Sequence, residues 1–121
     1  MNAAQLEKIV VAALEDIKGK NIEVINTAKL TPLFERIVIV SGDSNRQVRS
    51  LARSVEDKVR EAGGEILSTE GEDGGEWVLV DLGDIVVHVM QPTVRQYYNL
   101  EELWQATPAQ RRKAAEQARE E

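Results

Sequence analysis

Cysteine is absent from this sequence, histidine occurs once, and only five residues are aromatic. Without cysteine the chain has no disulfide and no thiolate metal site. Its one imidazole, His88, argues against a zinc site and against a catalytic Ser-His or Cys-His pair. No apolar run approaches the roughly 18 to 20 residues of a membrane span, and charged side chains interrupt the N-terminal stretch that a secretory signal would keep apolar. We therefore expect one cytoplasmic domain with no membrane contact, no metal and no cofactor.

Basic side chains are scarce in one part of the chain. Residues 61–102 contain ten carboxylates and one cation, Arg95, although the whole chain has a net charge of only −6. Such an acidic region can steer a protein towards a basic partner. It can equally serve only to keep the chain in solution, and composition alone does not choose between these two roles.

Two stretches have the apolar spacing of amphipathic helices. The first runs from Leu6 to Ile17 and follows Asn2, a residue suited to capping a helix. The second runs from Val48 to Ala62 and follows a polar turn at residues 41–45. Both helices are expected to lay their apolar stripes against a sheet.

Five shorter runs predict the strands of that sheet, at residues 22–25, 36–40, 65–68, 77–80 and 85–90. Residues 36–40 are apolar on both faces, so this strand is expected in the middle of the sheet. A helix separates it from residues 65–68, which predicts a right-handed parallel crossover between these two strands. The predicted fold class is α/β in the α+β sense, a mixed sheet of about five strands flanked by helices.

The last two runs form the hydrophobic centre of the sheet. The polar break Asp81-Leu82-Gly83-Asp84 between them predicts a tight hairpin. In Ile85–Met90 alternate side chains point to opposite faces, and both sets are mostly apolar. Both faces of the sheet therefore require cover, either from helices or from a partner.

Most of the aromatic residues lie at the start of this hairpin and just after it. If Trp77, Tyr98 and Leu100 share a surface with Leu82, they form an apolar patch with an acidic rim from Asp81 and Asp84, which is the composition of an interaction hot spot. Spacing alone is equally compatible with these side chains lying in the core.

Two other features have a functional and a simpler interpretation. Asp81 and Asp84 could be a catalytic carboxylate pair, but turn residues that accept backbone hydrogen bonds explain them better. The second helix also carries an arginine stripe that could touch RNA, although a solvated face is favoured because no aromatic residues are interleaved. The stripe consists of Arg46, Arg49, Arg53 and Arg60.

Four motifs resemble the ribosomal silencing factor RsfS family, also called iojap-like. They are AALEDIKGKNI, VIVSGDSNRQV, the EGE followed by WVLVDLGDIVVHVMQP, and VRQYYNLEELW. The resemblance spans about Leu6 to Trp104, and the third and fourth motifs are the most specific. Residues 1–104 would then be the RsfS/iojap-like domain, followed by a helical or disordered tail at 105–121.

The resemblance implies a nucleotidyltransferase-like fold without catalytic residues, and hence no enzyme activity. It further implies binding to the large ribosomal subunit through ribosomal protein L-fourteen, which would block subunit joining and repress translation. By motif, the contacts would come from Trp77, Asp81, Leu82, Gly83, Tyr98 and Leu100. Homodimerisation through the same patch, a degenerate nucleotidyltransferase-like enzyme and an assembly factor that binds RNA directly remain alternatives. The loop at residues 26–36 departs from the family pattern.

Overall fold

The computed structural model describes residues 1–105. These residues form four helices and five strands, in the order α1 (Ala3–Asp16), β1 (Lys20–Asn26), β2 (Arg36–Ser41), α2 (Asn45–Glu61), β3 (Ser68–Glu70), β4 (Trp77–Asp81), β5 (Ile85–Met90), α3 (Pro92–Tyr98) and α4 (Leu100–Gln105). The predicted α+β fold with a mixed five-stranded sheet is confirmed. Except for Gln105, the predicted tail lies outside the described residues. In the part of the chain that is described, no helix combines the length and apolarity needed to cross a membrane.

The strand order is β1-β2-β5-β4-β3. β2 and β5 are parallel, whereas the other neighbouring pairs are antiparallel. The predicted parallel crossover to residues 65–68 is therefore wrong, because the parallel neighbour of β2 is β5. Every residue of β5 is buried, so β5 requires an interior position, whereas the short and largely exposed β3 suits an edge.

Both long helices cover the same face of the sheet. Asn2 caps α1 through a capping box with Gln5, and Ser44 caps α2 by accepting from the Gln47 amide. Their stripes pack against the β2, β4 and β5 side chains that point to this face. The core on this side contains Val10, Leu14, Val38, Val40, Leu51, Val55, Val78, Val80, Val87 and Val89, among others.

The opposite face is only partly covered. A smaller buried cluster of Ile25, Ile37, Ile39 and Met90 lies beneath the short helices α3 and α4. β4 contributes only Trp77 to the contacts of this cluster, and its alternate residues Trp77, Leu79 and Asp81 remain partly exposed. This half-open face of the sheet is where the candidate site lies.

Candidate protein-binding site

Trp77 and Tyr98 meet at the end of the hairpin furthest from its turn. Their ring centroids are 4.8 Å apart, and Tyr97 packs edge-on against Tyr98 at 5.1 Å. Tyr98 is 54% exposed and Tyr97 75% exposed. We call these three residues the aromatic cluster. The open question of core or surface is thus answered for Tyr98, which is at the surface, while Trp77 is partly buried against the sheet.

Leu82 does not share this surface, which corrects the predicted patch. Its side chain is 8% exposed and packs in the core on the helix-covered face of the sheet. The physical reason is strand alternation, because Val78, Val80 and Leu82 follow one another at intervals of two and point to the face opposite Trp77. Trp77 and Leu82 are also separated by the length of β4, roughly 16 Å at the usual rise of a strand.

Asp81, Gly83 and Leu100 line a groove on the half-open face. We call it the sheet groove; it has a volume of about 610 Å³. Leu79 of β4 and Val86 of β5 lie along it, and Leu33 and Phe34 of the β1–β2 loop and Leu103 and Trp104 of α4 complete the walls. The structure thus brings five of the six predicted contact residues to one face of the sheet, three in the groove and two in the aromatic cluster.

His88 connects the groove to the aromatic cluster. It lines the groove, and its Nδ1 accepts a hydrogen bond of 3.0 Å from the indole Nε1 of Trp77. Burial lowers the pKa of His88 from the ordinary 6.5 to about 4. The imidazole is therefore neutral at physiological pH, and its bond fixes the orientation of Trp77.

The turn of the hairpin is held by Asp81. Its Oδ1 accepts from the backbone N of Gly83 at 2.9 Å, as expected for a turn aspartate. Gly83 has φ of +88°, a conformation that favours glycine. The Asp84 carbonyl accepts from the backbone N of Glu35 at 2.8 Å, which brings the β1–β2 loop against the turn.

Arg95 fixes the short helices that form the other side of the site. From α3 it donates to Ser41 Oγ at 2.9 Å and to Glu101 Oε1 of α4 at 2.5 Å. Its side chain is only 12% exposed. The single cation of the acidic region is therefore used within the fold, and the surface of that region keeps its negative charge.

The rival sites are not assembled in the same way. A nucleotidyltransferase site would use Ser41, Gly42 and Asp81, yet Ser41 is level with Met90 and Asp81 with Val86, four residues or about 13 Å further along the sheet. Of the arginine stripe, Arg49 donates to the carbonyls of Glu72 and Asp73, and Arg60 pairs with Glu56 at 3.5 Å. Within residues 1–105, no group of three His, Asp or Glu side chains is arranged to hold a metal ion.

Several groove residues were not singled out by the sequence analysis as contacts. Leu79 could have been found, because it alternates with Trp77 and Asp81 along β4. Val86 and His88 could have been found in the same way from β5. No sequence pattern predicts that Phe34 and Trp104 line the groove. They are seventy residues apart in the chain, and only the fold brings their rings into a T-shaped contact at 5.4 Å.

Comparison with known proteins assigns this chain to a family. A family model described as "Ribosomal silencing factor during starvation" matches residues 1–121. A protein of Chromobacterium violaceum named ribosomal silencing factor RsfS is 56% identical over 104 residues, which are 86% of this chain and 85% of that protein. A crystal structure of a protein from the same organism superposes with a TM-score of 0.86 at 54% identity, covering 88% of this chain and 89% of the other.

A more distant relative has a name that mentions the large subunit. The mouse protein named "Mitochondrial assembly of ribosomal large subunit protein 1" is 28% identical over 99 residues, 79% of this chain and 43% of its own length. The predicted family is thus confirmed by the family model, by the close bacterial relative and by the shared fold. The chain belongs to the ribosomal silencing factor (RsfS) family.

Proposed function

We propose that this protein represses translation in the cytoplasm by binding the large ribosomal subunit through ribosomal protein L-fourteen. Bound there, it would occupy the face that meets the small subunit and so prevent the subunits from joining. The mechanism is steric and requires no catalysis. The contact surface consists of Trp77, Asp81, Gly83, Tyr98 and Leu100, whereas Leu82 supports the hairpin from the opposite face.

One observation carries the proposal beyond family membership. Residues far apart in sequence meet on one half-open face, where two exposed tyrosines stand beside an apolar groove. Exposed aromatic side chains over a partly buried support are typical of binding hot spots. Exposed apolar surfaces of this kind on soluble proteins typically mark sites where a partner binds.

The charge of this face suits a basic partner. Asp81 lines the groove, and exposed carboxylates of Glu76 and Asp84 lie near the two ends of β4. Ribosomal proteins that are bound to RNA are commonly basic, so the acidic rim would accelerate the encounter more than it tightens the complex. An RNA partner, in contrast, would meet like charge here.

Binding of purified large subunits to the Tyr98→Ala variant tests the assigned face. Removal of a hot-spot anchor typically costs about 2 kcal/mol or more, which is about thirtyfold in affinity. Arg53→Ala is the control, because Arg53 is an exposed residue of α2 on the other side of the sheet. We expect Tyr98→Ala to lose binding and Arg53→Ala to keep it. Equal loss in both variants would show that the assigned face is wrong.

Light scattering of mixed small and large subunits tests the steric mechanism. We expect the wild-type protein to reduce formation of joined ribosomes in proportion to the large subunits that it occupies. Tyr98→Ala should require about thirty times more protein for the same reduction. If the protein binds large subunits fully but subunit joining proceeds unchanged, then blockade by occupancy is refuted.

A further inference from the structure

We propose that the sheet groove takes an apolar side chain from a basic segment of the partner protein, and that His88 donates its Nε2–H to a backbone carbonyl of that segment. The inference rests on the proposed function, because it names what the partner inserts beside the aromatic cluster. Three properties of the groove carry it: a buried donor, apolar walls and a carboxylate at one end.

The buried donor follows from the bond between His88 and Trp77. An indole N–H can only donate, so His88 Nδ1 is the acceptor and the proton of the neutral imidazole lies on Nε2. His88 is 8% exposed, and no acceptor for Nε2 is found among the hydrogen bonds of residues 1–105. A buried donor without a partner is unfavourable, so a complex that supplies an acceptor gains affinity.

The walls favour an apolar side chain as the occupant. Leu33 is 78% exposed although it lines the groove, and Phe34, Leu79 and Trp104 face the same space. The groove volume of about 610 Å³ exceeds that of any one side chain, so it can accept a large one together with its backbone. The backbone carbonyl beside an inserted side chain is the nearest acceptor for His88.

The charge at the groove selects a basic segment. Among the described residues that line it, Asp81 is the only one with a carboxylate, and none is a lysine or an arginine. One of its carboxylate oxygens accepts from Gly83, which leaves the second for a cation of the partner. A lysine or arginine next to the inserted apolar residue would satisfy Asp81, whereas a phosphate would be repelled.

Two substitutions of His88 distinguish the role of Nδ1, which accepts from Trp77, from the role of Nε2, which would donate to the partner. His88→Asn keeps an acceptor near the position of Nδ1, so the Trp77 bond is retained, but it removes the Nε2 donor. His88→Gln places an amide donor near the position of Nε2. With purified ribosomal protein L-fourteen as the probe in calorimetric titration, we expect about tenfold weaker binding for His88→Asn and less than threefold for His88→Gln. Binding of both variants at the wild-type level would overturn the role of His88.

Matched surface substitutions test the walls and the charge. Leu33→Ser should weaken binding about tenfold, whereas Leu67→Ser, at another exposed leucine outside the groove, should not. Asp81→Asn keeps the oxygen that holds Gly83 and should weaken binding about fivefold, whereas Asp57→Asn, at an exposed residue of α2 on the other side of the sheet, should have no effect. All four sites are at least partly exposed or retain their hydrogen bond, so the variants are expected to fold.

The outcomes distinguish this inference from the proposed function. If Tyr98→Ala loses binding but Leu33→Ser and His88→Asn do not, the face is correct and the groove inference is wrong. If the wild-type protein does not bind L-fourteen, the proposed function itself fails. If Leu33→Ser changes only the monomer–dimer equilibrium in sedimentation, then the occupant is a second copy of the chain and the inference is overturned.

Discussion

Acid should destabilise this protein through His88. Burial lowers the pKa of His88 to about 4 in the folded state, while an unfolded chain keeps the ordinary value of 6.5. Between these two values the unfolded state binds a proton that the folded state does not, so stability falls as the pH decreases. The stabilisation is complete above pH 6.5 and is lost by about pH 4. With 1.36 kcal/mol per unit, the loss amounts to ~3 kcal/mol.

The structure explains why the folded protein resists protonation. His88 Nδ1 is the acceptor of the Trp77 indole N–H, and a protonated Nδ1 would confront that donor with another donor. The imidazole is also almost completely buried, because its strand β5 lies in the interior of the sheet between β2 and β4. Protonation would therefore break the bond that orients Trp77 and release part of the aromatic cluster.

Urea unfolding at a series of pH values measures this effect. Wild-type protein should be compared with His88→Asn, which keeps an acceptor for Trp77 but does not titrate. Both proteins share the same carboxylates, so their difference isolates the imidazole. We expect the free energy of unfolding of the wild type to fall by ~3 kcal/mol more than that of the variant between pH 7 and pH 4. Parallel pH profiles would refute the assignment of a buried, neutral His88.

Three further substitutions test the fold. Leu14→Ala removes a fully buried side chain of α1 and should lower the free energy of unfolding by about 3 kcal/mol in urea titrations. Gly71→Ala should lower the free energy of unfolding by about 2 kcal/mol, because Gly71 has φ of +87° and an added Cβ would lie 2.1 Å from the carbonyl oxygen of Trp77. Gly74→Ala is the control, and its thermal unfolding should be near that of the wild type. Burial, followed by the nearby Glu72 charge, raises the pKa of Glu56 above 4.5. The stability that its protonated form contributes is present below pH 4.5 and is lost as the pH rises through the raised pKa, so Glu56→Gln should raise the urea midpoint at pH 7 but not below pH 4.5.

Local patterns predicted much of the fold. The hairpin at residues 77–90, the stripes of α1 and α2 and their capping residues follow from side-chain periodicity and from hydrogen bonds within a few residues. The same logic predicted that both faces of β5 would be covered. Strand alternation would also have given the correct position of Leu82. Leu82 lies two residues after Val80 and therefore points to the same helix-covered face.

The partner of β2 was predicted wrongly because strand pairing is a competition over the whole chain. Residues 65–68 were assigned to a parallel strand since they follow a helix, yet only Ser68–Glu70 pairs, at the edge and antiparallel to β4. The completely apolar β5 gains more from the interior position beside β2 than this largely polar segment would. Such a comparison of burial energies does not appear in any single stretch of sequence.

The sequence by itself determined the two long helices, the hairpin, the acidic charge of residues 61–102 and the resemblance to its family, because each of these is set by neighbouring residues or by composition. Only the tertiary structure decided that the Trp77 indole donates to His88 and packs against Tyr98, and that Phe34 contacts Trp104 beside the sheet groove. These contacts join residues whose side chains are brought together by strand order and by the packing of α3 and α4. Their distances follow from the balance of all the buried surfaces, which no local pattern records.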